Sequence, residues 1–305
     1  RGAVVAMMML RASVISIALL HYLERYNIRY TKISAVDLRK NRVRDGIFMA
    51  GSAMILLMLI SVFAVIFVVP LVREWPYQTS FTMEHVIDTL TDSSLFGVYQ
   101  NSLFVAVCTA AAGLLITYGA ALATARSGLK GRLKAVIDSI ALVTNTIPGM
   151  VIGIAFMFIF SGTPLQNTFL LIIICNVVHF FSTPYLMMKN SLSKLNSSWE
   201  ATAALMGDSW IKTIVRIITP NMVSTLLEVF GYYFVNAMVT VSAVIFIAGA
   251  RTMVITTKMK ELQYYTKFNE VFVLSLLILA TNLAVKGILA VLMRSGKIGR
   301  QQARA

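Results

Sequence analysis

Apolar runs of about twenty or more residues recur along the whole chain, and nothing constrains its fold more. Inside hydrocarbon a backbone must satisfy its own N–H and C=O groups, so runs of this length and number imply membrane-spanning helices. Spans are expected at about residues 46–72, 101–124, 135–160 and 169–188. Two more are expected from just past Pro220 to about 248 and at about 270–293, with a further apolar helix leading at about 3–23. Of the 305 residues, 58% are hydrophobic and 13% are charged, with mean hydropathy +0.77. Soluble domains carry about 25% charged residues. The expected fold class is an all-α polytopic membrane protein.

The charges orient these spans. Residues 24–45 hold Arg25, Arg29, Lys32, Arg39, Lys40, Arg42 and Arg44, a basic linker that marks a cytosolic side. Arg126, Lys130, Arg132 and Lys134 mark a second cytosolic turn, and Lys189 opens a third. Residues 73–99 set Arg73 against Glu74, Glu84, Asp88 and Asp92, as an external segment should. Met83, Val86, Ile87 and Leu90 have helical spacing there and predict a short interfacial helix. Residues 251–269 are external by this count, although Arg251, Lys258, Lys260 and Lys267 depart from the bias. The tail 294–305 is basic and cytosolic, and Lys286 lies near enough to that side to snorkel. The net charge of +14 therefore belongs to membrane anchoring rather than to nucleic-acid binding. Cys108 and Cys175 fall inside apolar runs and imply no disulfide framework.

The loop between the fourth and fifth spans, residues 189–220, is too regular to be a tether. Glu200 to Met206 has helix-favouring composition, and Gly207 stands where such a helix would stop. Ser209 to Ile218 reads as a second short amphipathic helix, with Ile211, Ile214, Ile217 and Ile218 on one face and Lys212 and Arg216 on the other. Pro220 closes it, and Asp208 is expected to cap it. The spacing resembles the signature loop of ABC importer permeases: E-A-A, three residues, glycine, nine residues, isoleucine, one residue, leucine-proline. Gly207, Ile217 and Pro220 fall in register, and Ala201, Thr202 and Ala203 occupy the E-A-A positions with Glu200 one place earlier. Thr219 replaces the leucine.

The resemblance covers about residues 46–293 and implies a six-helix permease unit of the type I importer fold, preceded by one extra transmembrane helix. It implies that Glu200, Ala201, Ala203, Gly207, Asp208, Ile217 and Pro220 dock a cytosolic ABC ATPase dimer, with ATP and Mg bound on that partner and no cofactor on this chain. An external solute-binding protein and a second permease unit, fused or separate, complete the implied assembly in a prokaryotic cell membrane. The runs Asn101-Ser102-Leu103, Ile147-Pro148-Gly149 and Lys260-Glu261-Leu262, the last leading on to Asn269-Glu270, resemble the ferric-iron and aminoethylphosphonate branch. Members of that branch can fuse two units. Residues 1–23 then read as the last helix of a preceding unit and 24–45 as its linker, with a standalone subunit carrying an extra helix as the alternative. Ferric iron is the favoured cargo, followed by aminoethylphosphonate or another small anion, then polyamines.

The residues offer little to an enzyme. The sequence has no G-x-x-x-x-G-K-[ST] phosphate loop and no G-x-S-x-G nucleophile motif. His21, His85 and His179 lie on separate segments without metal-ligand spacing. Within the spans, Pro148 and Pro184 free backbone carbonyls, which a water-lined path tolerates. Glu228 is the acidic residue deepest in an apolar run, equally compatible with a path and with a structural contact near the cytosolic face. Asn145, Asn176, Asn236 and Asn282 could line a path or bond between helices, Asn236 first among them. An ion-coupled secondary transporter using Glu228 is the rival from another class, and a membrane scaffold is a third reading. Neither accounts for the regular loop.

Overall fold

The computed structural model describes Ile15 and residues 41–302 apart from Asn145. The expected leading helix, its linker up to residue 40, and Asn145 lie outside the described residues, as does the end of the tail from 303 on. The first helix, α1 (Arg42–Val68), begins inside the basic linker, four residues earlier than the apolar run suggested. The cause is local: Asn41 Oδ1 accepts from the backbone N–H groups of Val43 at 3.1 Å and Arg44 at 3.3 Å. That N-cap starts the helix in polar sequence. α1 has no buried residue, and its apolar side chains are exposed along its length.

A two-stranded antiparallel hairpin follows, β1 (Val72–Glu74) and β2 (Gln78–Phe81), where only a loop was expected. The anticipated interfacial helix is α2 (Glu84–Thr91). α3 (Ser93–Ala125) is continuous over 33 residues and starts well before the predicted 101. Asp92 sets that start: its Oδ1 accepts from the Ser94 N–H at 2.8 Å and the Leu95 N–H at 3.4 Å. Hydrogen bonds from Ser94, through its side chain and its backbone, hold the Asp92 carboxyl below its ordinary range. Its cap is therefore complete above the ordinary carboxylate pKa and is lost as pH falls through the lowered value. Asp92→Ala should cost about 1 kcal/mol at neutral pH, read as a lower thermal midpoint of the purified protein, and the gap between the two proteins should close in strong acid.

The remaining elements depart from simple spans. The third crossing is broken into α4 (Gly131–Thr144) and α5 (Gly149–Phe160), bent by 109°. The fourth is α6 (Phe169–His179) and α7 (Ser182–Ser193), bent by 56°. α8 (Ser198–Leu205) and α9 (Trp210–Asn221) form the loop, and α9 meets α10 (Val223–Val239) at 76°. The fifth span thus ends at Val239, not near 248, and short 3₁₀ turns carry the chain on to α11 (Ile255–Tyr264). α12 (Phe268–Gln302) runs past the expected end at 293. Three single helices are long and apolar enough to cross, and counting each bent pair as one span gives up to six candidate crossings among the described residues.

α3 is the centre of the bundle, packed on α10, α7, α6 and α11. Lipid tails offer no hydrophobic gain between helices, so close van der Waals contact must hold them together. The sequence supplies it with a stripe of small residues at three- and four-residue spacing: Ala106, Ala110, Gly113, Thr117, Ala121 and Thr124, all buried. A Cβ on Gly113 would lie 2.7 Å from the Tyr233 ring, so the glycine is what admits that ring from α10. The Tyr233 hydroxyl then pairs with Thr117 at 2.9 Å, which leaves no unsatisfied polar group in the contact.

Candidate functional site

The loop between α7 and α10 is built by local rules. At the end of α8 the N–H of Gly207 bonds the Ala204 carbonyl at 3.1 Å and that of Asp208 bonds the Ala203 carbonyl at 2.9 Å. Those two bonds make a Schellman motif, which needs a left-handed residue between them. Gly207 supplies it, with φ +78°. Asp208 is not the cap of the next helix, as the sequence suggested. The Ser209 hydroxyl accepts from the Lys212 N–H at 3.4 Å, while the Asp208 carboxylate pairs with the Lys212 ammonium one turn on. α9 then widens into a π-turn, Ile214–Ile218, closed by the Thr219 N–H on the Ile214 carbonyl. Pro220 explains it: a proline removes a backbone donor and its ring crowds the preceding turn, so the widened turn accommodates it.

These turns sort the residues singled out from sequence. Ala203 is buried against the bundle, Ile217 is half-buried, and Ala201 and Pro220 are exposed. Ile214 and Ile218 are buried, but Ile211 does not share their environment: it is 69% exposed. With Leu205 at 89%, Met206 at 69% and Val215 at 61%, it forms an apolar cap on a loop otherwise studded with Lys194, Asp208, Lys212 and Arg216. Ile211 and Val215, one turn apart, share a face of α9. Glu200 points inward. Its carboxylate accepts from Arg126 at 3.0 and 3.3 Å, at the end of α3. Sequence reasoning marked Arg126 only as a basic turn residue, and nothing local indicates a partner 74 positions away.

The path candidates separate into two places. Glu228 and Asn236 line one cleft of about 330 Å³ between α10 and α12, together with Tyr232 and Lys286. Asn236 Nδ2 donates to the Tyr232 carbonyl one turn back at 2.8 Å. Pro148 lies elsewhere, as the N-cap of α5 at the break in the third crossing. A Cβ on the adjoining Gly149 would collide with Ser242 Oγ and lie 3.0 Å from His179 Nε2, so three broken crossings converge there. Asn176 and His179, one turn apart on α6, each bury polar atoms that have no partner among the described residues. Among the described residues no group of three or more His, Cys, Asp or Glu could hold a metal ion.

Comparison with known proteins adds a family. The profile of the binding-protein-dependent transport system inner membrane component matches residues 113–295. The chain is 32% identical over 149 residues to the putative ferric transport system permease protein FbpB 1 of Haemophilus influenzae, covering 48% of this chain and 22% of that protein. It is likewise 32% identical over 151 residues to the ferric transport system permease protein FbpB of Actinobacillus pleuropneumoniae, covering 48% of this chain and 21% of the relative. The match therefore spans about a fifth of the length of these curated relatives. In fold the chain is similar to a crystal structure of a bacterial ABC transporter involved in the import of the acidic polysaccharide alginate. The TM-score is 0.68 at 13% identity, covering 83% of this chain and 97% of that one.

Proposed function

The chain belongs to the family of binding-protein-dependent transport system inner membrane components, and from that premise we propose that it is the transmembrane subunit of an ATP-driven importer whose 189–220 loop seats a cytosolic ATPase. It is a multi-pass inner-membrane component and not itself the ATPase. ATP and Mg belong on the partner, an external binding protein delivers the cargo, and a second permease unit, fused or separate, completes the path. Residues 46–293 form the permease unit in this reading, with residues 1–23 and 24–45 as the last helix and linker of a preceding one.

The apolar cap formed by Leu205, Met206, Ile211 and Val215 carries the reading. Exposed apolar side chains are ordinary on a lipid face, but this patch sits on a polar loop between two crossings, where a protein partner is the natural cover. Gly207, Ala203, Ile217 and Pro220 shape the loop, and Asp208 braces it through Lys212. The partner's nucleotide state biases a two-state element, and displacement of the seated loop tilts α7 and α10. The cleft holding Glu228 and Asn236 then opens toward one side or the other, with Pro148 at a break that lets the third crossing bend. The two ferric permease relatives favour ferric iron as cargo.

Leu205→Asp combined with Ile211→Asp should abolish copurification of the ATPase encoded beside this protein, since each buried apolar anchor is worth about 2 kcal/mol at an interface. Both residues are exposed, so the yield of membrane protein should not change. Retention of the ATPase by the double variant would refute the docking surface. Cells lacking the gene should lose uptake of radiolabelled ferric iron. Intact iron uptake with loss of aminoethylphosphonate uptake would reassign the cargo to the anion, and uptake driven by a proton or sodium gradient without ATP would favour an ion-coupled carrier.

A further inference from the structure

Arg126 does more than neutralise Glu200. Its side chain is only 6% exposed and that of Glu200 21%. The guanidinium spreads over three partners. Nη1 donates to both Glu200 oxygens at 3.0 and 3.3 Å, Nη2 to the Leu195 carbonyl at 2.6 Å, and Nη2 and Nε to the Leu192 carbonyl at 2.5 and 3.1 Å. Leu192 lies in the last turn of α7, and Glu200 in the first turn of α8. Arg126 is the C-cap residue of α3. One planar donor fork thus ties the end of α3 to the loop and to the helix that leads into it, which a lysine cannot reproduce.

α3 is tied a second time, at Asn101 and Ser102, more than two turns in from its start at Ser93. Asn101 Nδ2 donates to the Met253 carbonyl at 3.1 Å, and the Ile255 N–H donates to Ser102 Oγ at 2.6 Å. α3 is unbroken over its 33 residues, and both ties fall on that one helix or at its cap. At the ordinary helical rise it is longer than a hydrocarbon core is thick. Its neighbours are hinged: α6 bends into α7 within the fourth crossing, and the loop helix α9 meets α10 at a bend. A hinge absorbs displacement; a straight helix passes it on.

We propose that Arg126 is a positioning residue that couples α8 to α3, and that α3 carries the loop's displacement as a rigid rod to the 253–255 segment at the far end of the bundle. The inference rests on the docking reading above and deepens it: Glu200 serves this internal pin and not the ATPase. The path from nucleotide to the 253–255 segment then runs through the second crossing, not through α7 and α10 alone.

The test uses the full permease with its ATPase in lipid nanodiscs, carrying Met253→Cys as reporter and Cys108→Ala and Cys175→Ala as background. The readout is the change in labelling rate by a membrane-impermeant thiol reagent when ATP and vanadate trap the ATPase. Arg126→Ala and Glu200→Ala should each retain the ATPase, yet the nucleotide-dependent change should fall about tenfold, a coupling of ordinary allosteric size. The double variant should be no worse than either single one, as for two ends of one pair. Arg126→Lys, with charge but no fork, should fall between. Should Arg126→Ala fail to fold, Glu200→Ala, on the more exposed partner, carries the test. An undiminished response at Met253→Cys in Glu200→Ala would overturn the inference. So would release of the ATPase by Glu200→Ala but not by Arg126→Ala, which would return Glu200 to the ATPase interface. Absence of the ATPase from the wild type is a different failure, that of the docking reading, and the inference would fall with it.

Discussion

Gly153→Val should leave no folded protein to recover. A Cβ at Gly153 would collide with the Ala243 carbonyl oxygen and lie 2.9 Å from its carbonyl carbon and Cα. All three atoms are backbone, and Ala243 is fully buried, so no side chain can rotate away. Overpacking a tight contact costs about 1–3 kcal/mol where side chains can adjust, and two methyl groups against fixed backbone should exceed that range. The contact is also where α5 meets the turn after α10, a junction with no hydrophobic gain to offset a gap. The measurement is monodisperse yield on size exclusion after extraction, with Gly51→Val as control, since nothing lies within 4 Å of a Cβ there. Equal yields for the two variants would refute the packing at Gly153. Gly113→Ala should be milder, because the atoms it meets belong to the Tyr233 ring, which can shift at the expense of its bond to Thr117.

Gly207→Val should fold and yet lose the ATPase. No atom lies within 4 Å of a Cβ at Gly207, so the substitution meets no obstacle. The penalty is in φ, which is +78°. That left-handed region costs an ordinary L-residue roughly 1–2 kcal/mol. A β-branched residue is a worse fit there still. The strain is relieved by giving up the two Schellman bonds, which swings Leu205 and Met206 away from Ile211 and Val215. Asparagine and aspartate visit the left-handed region more readily, so retention of the ATPase should fall in the order glycine, asparagine, aspartate, alanine, valine. Copurification from membranes of each variant, normalised to permease yield, reads this directly. A valine variant that holds the ATPase as well as the wild type would show that the loop's fold does not matter to docking.

The broad architecture was legible because long apolar runs admit few alternatives. The interfacial helix over Glu84–Thr91 was also legible, since Val86, Ile87 and Leu90 repeat at helical spacing. The hairpin around Val72 and Phe81 was not, because Arg73, Glu74, Gln78 and Ser80 show no apolar alternation to announce strands. Hydropathy alone gives residues 135–160 and 169–188 as single runs, because a broken helix and a straight one have the same composition, although Ile147-Pro148-Gly149 resembles a proline-glycine break in the first of them. In the loop, Gly207 was readable as a stop because left-handed geometry is a local demand on one residue. The inward turn of Glu200 was not, since it depends on Arg126, brought near by tertiary packing. The outward face of Ile211 and Val215 was hidden for a related reason: periodicity gives a helix a face but does not say where its neighbours stop.

The junction around Gly149 has an electrostatic consequence. Gly149 is the first residue of α5 and His179 the last of α6, and they lie against each other. A helix start carries roughly half a positive charge and a helix end roughly half a negative one. Breaking two crossings at one place sets the start of α5 beside the last residue of α6, so that opposite partial charges lie in the same junction, where a full ionic charge would be costly to keep. Parting them would strip each of its counterpart in a medium that screens poorly. The junction therefore favours the closed arrangement seen here, and opening it carries an electrostatic cost.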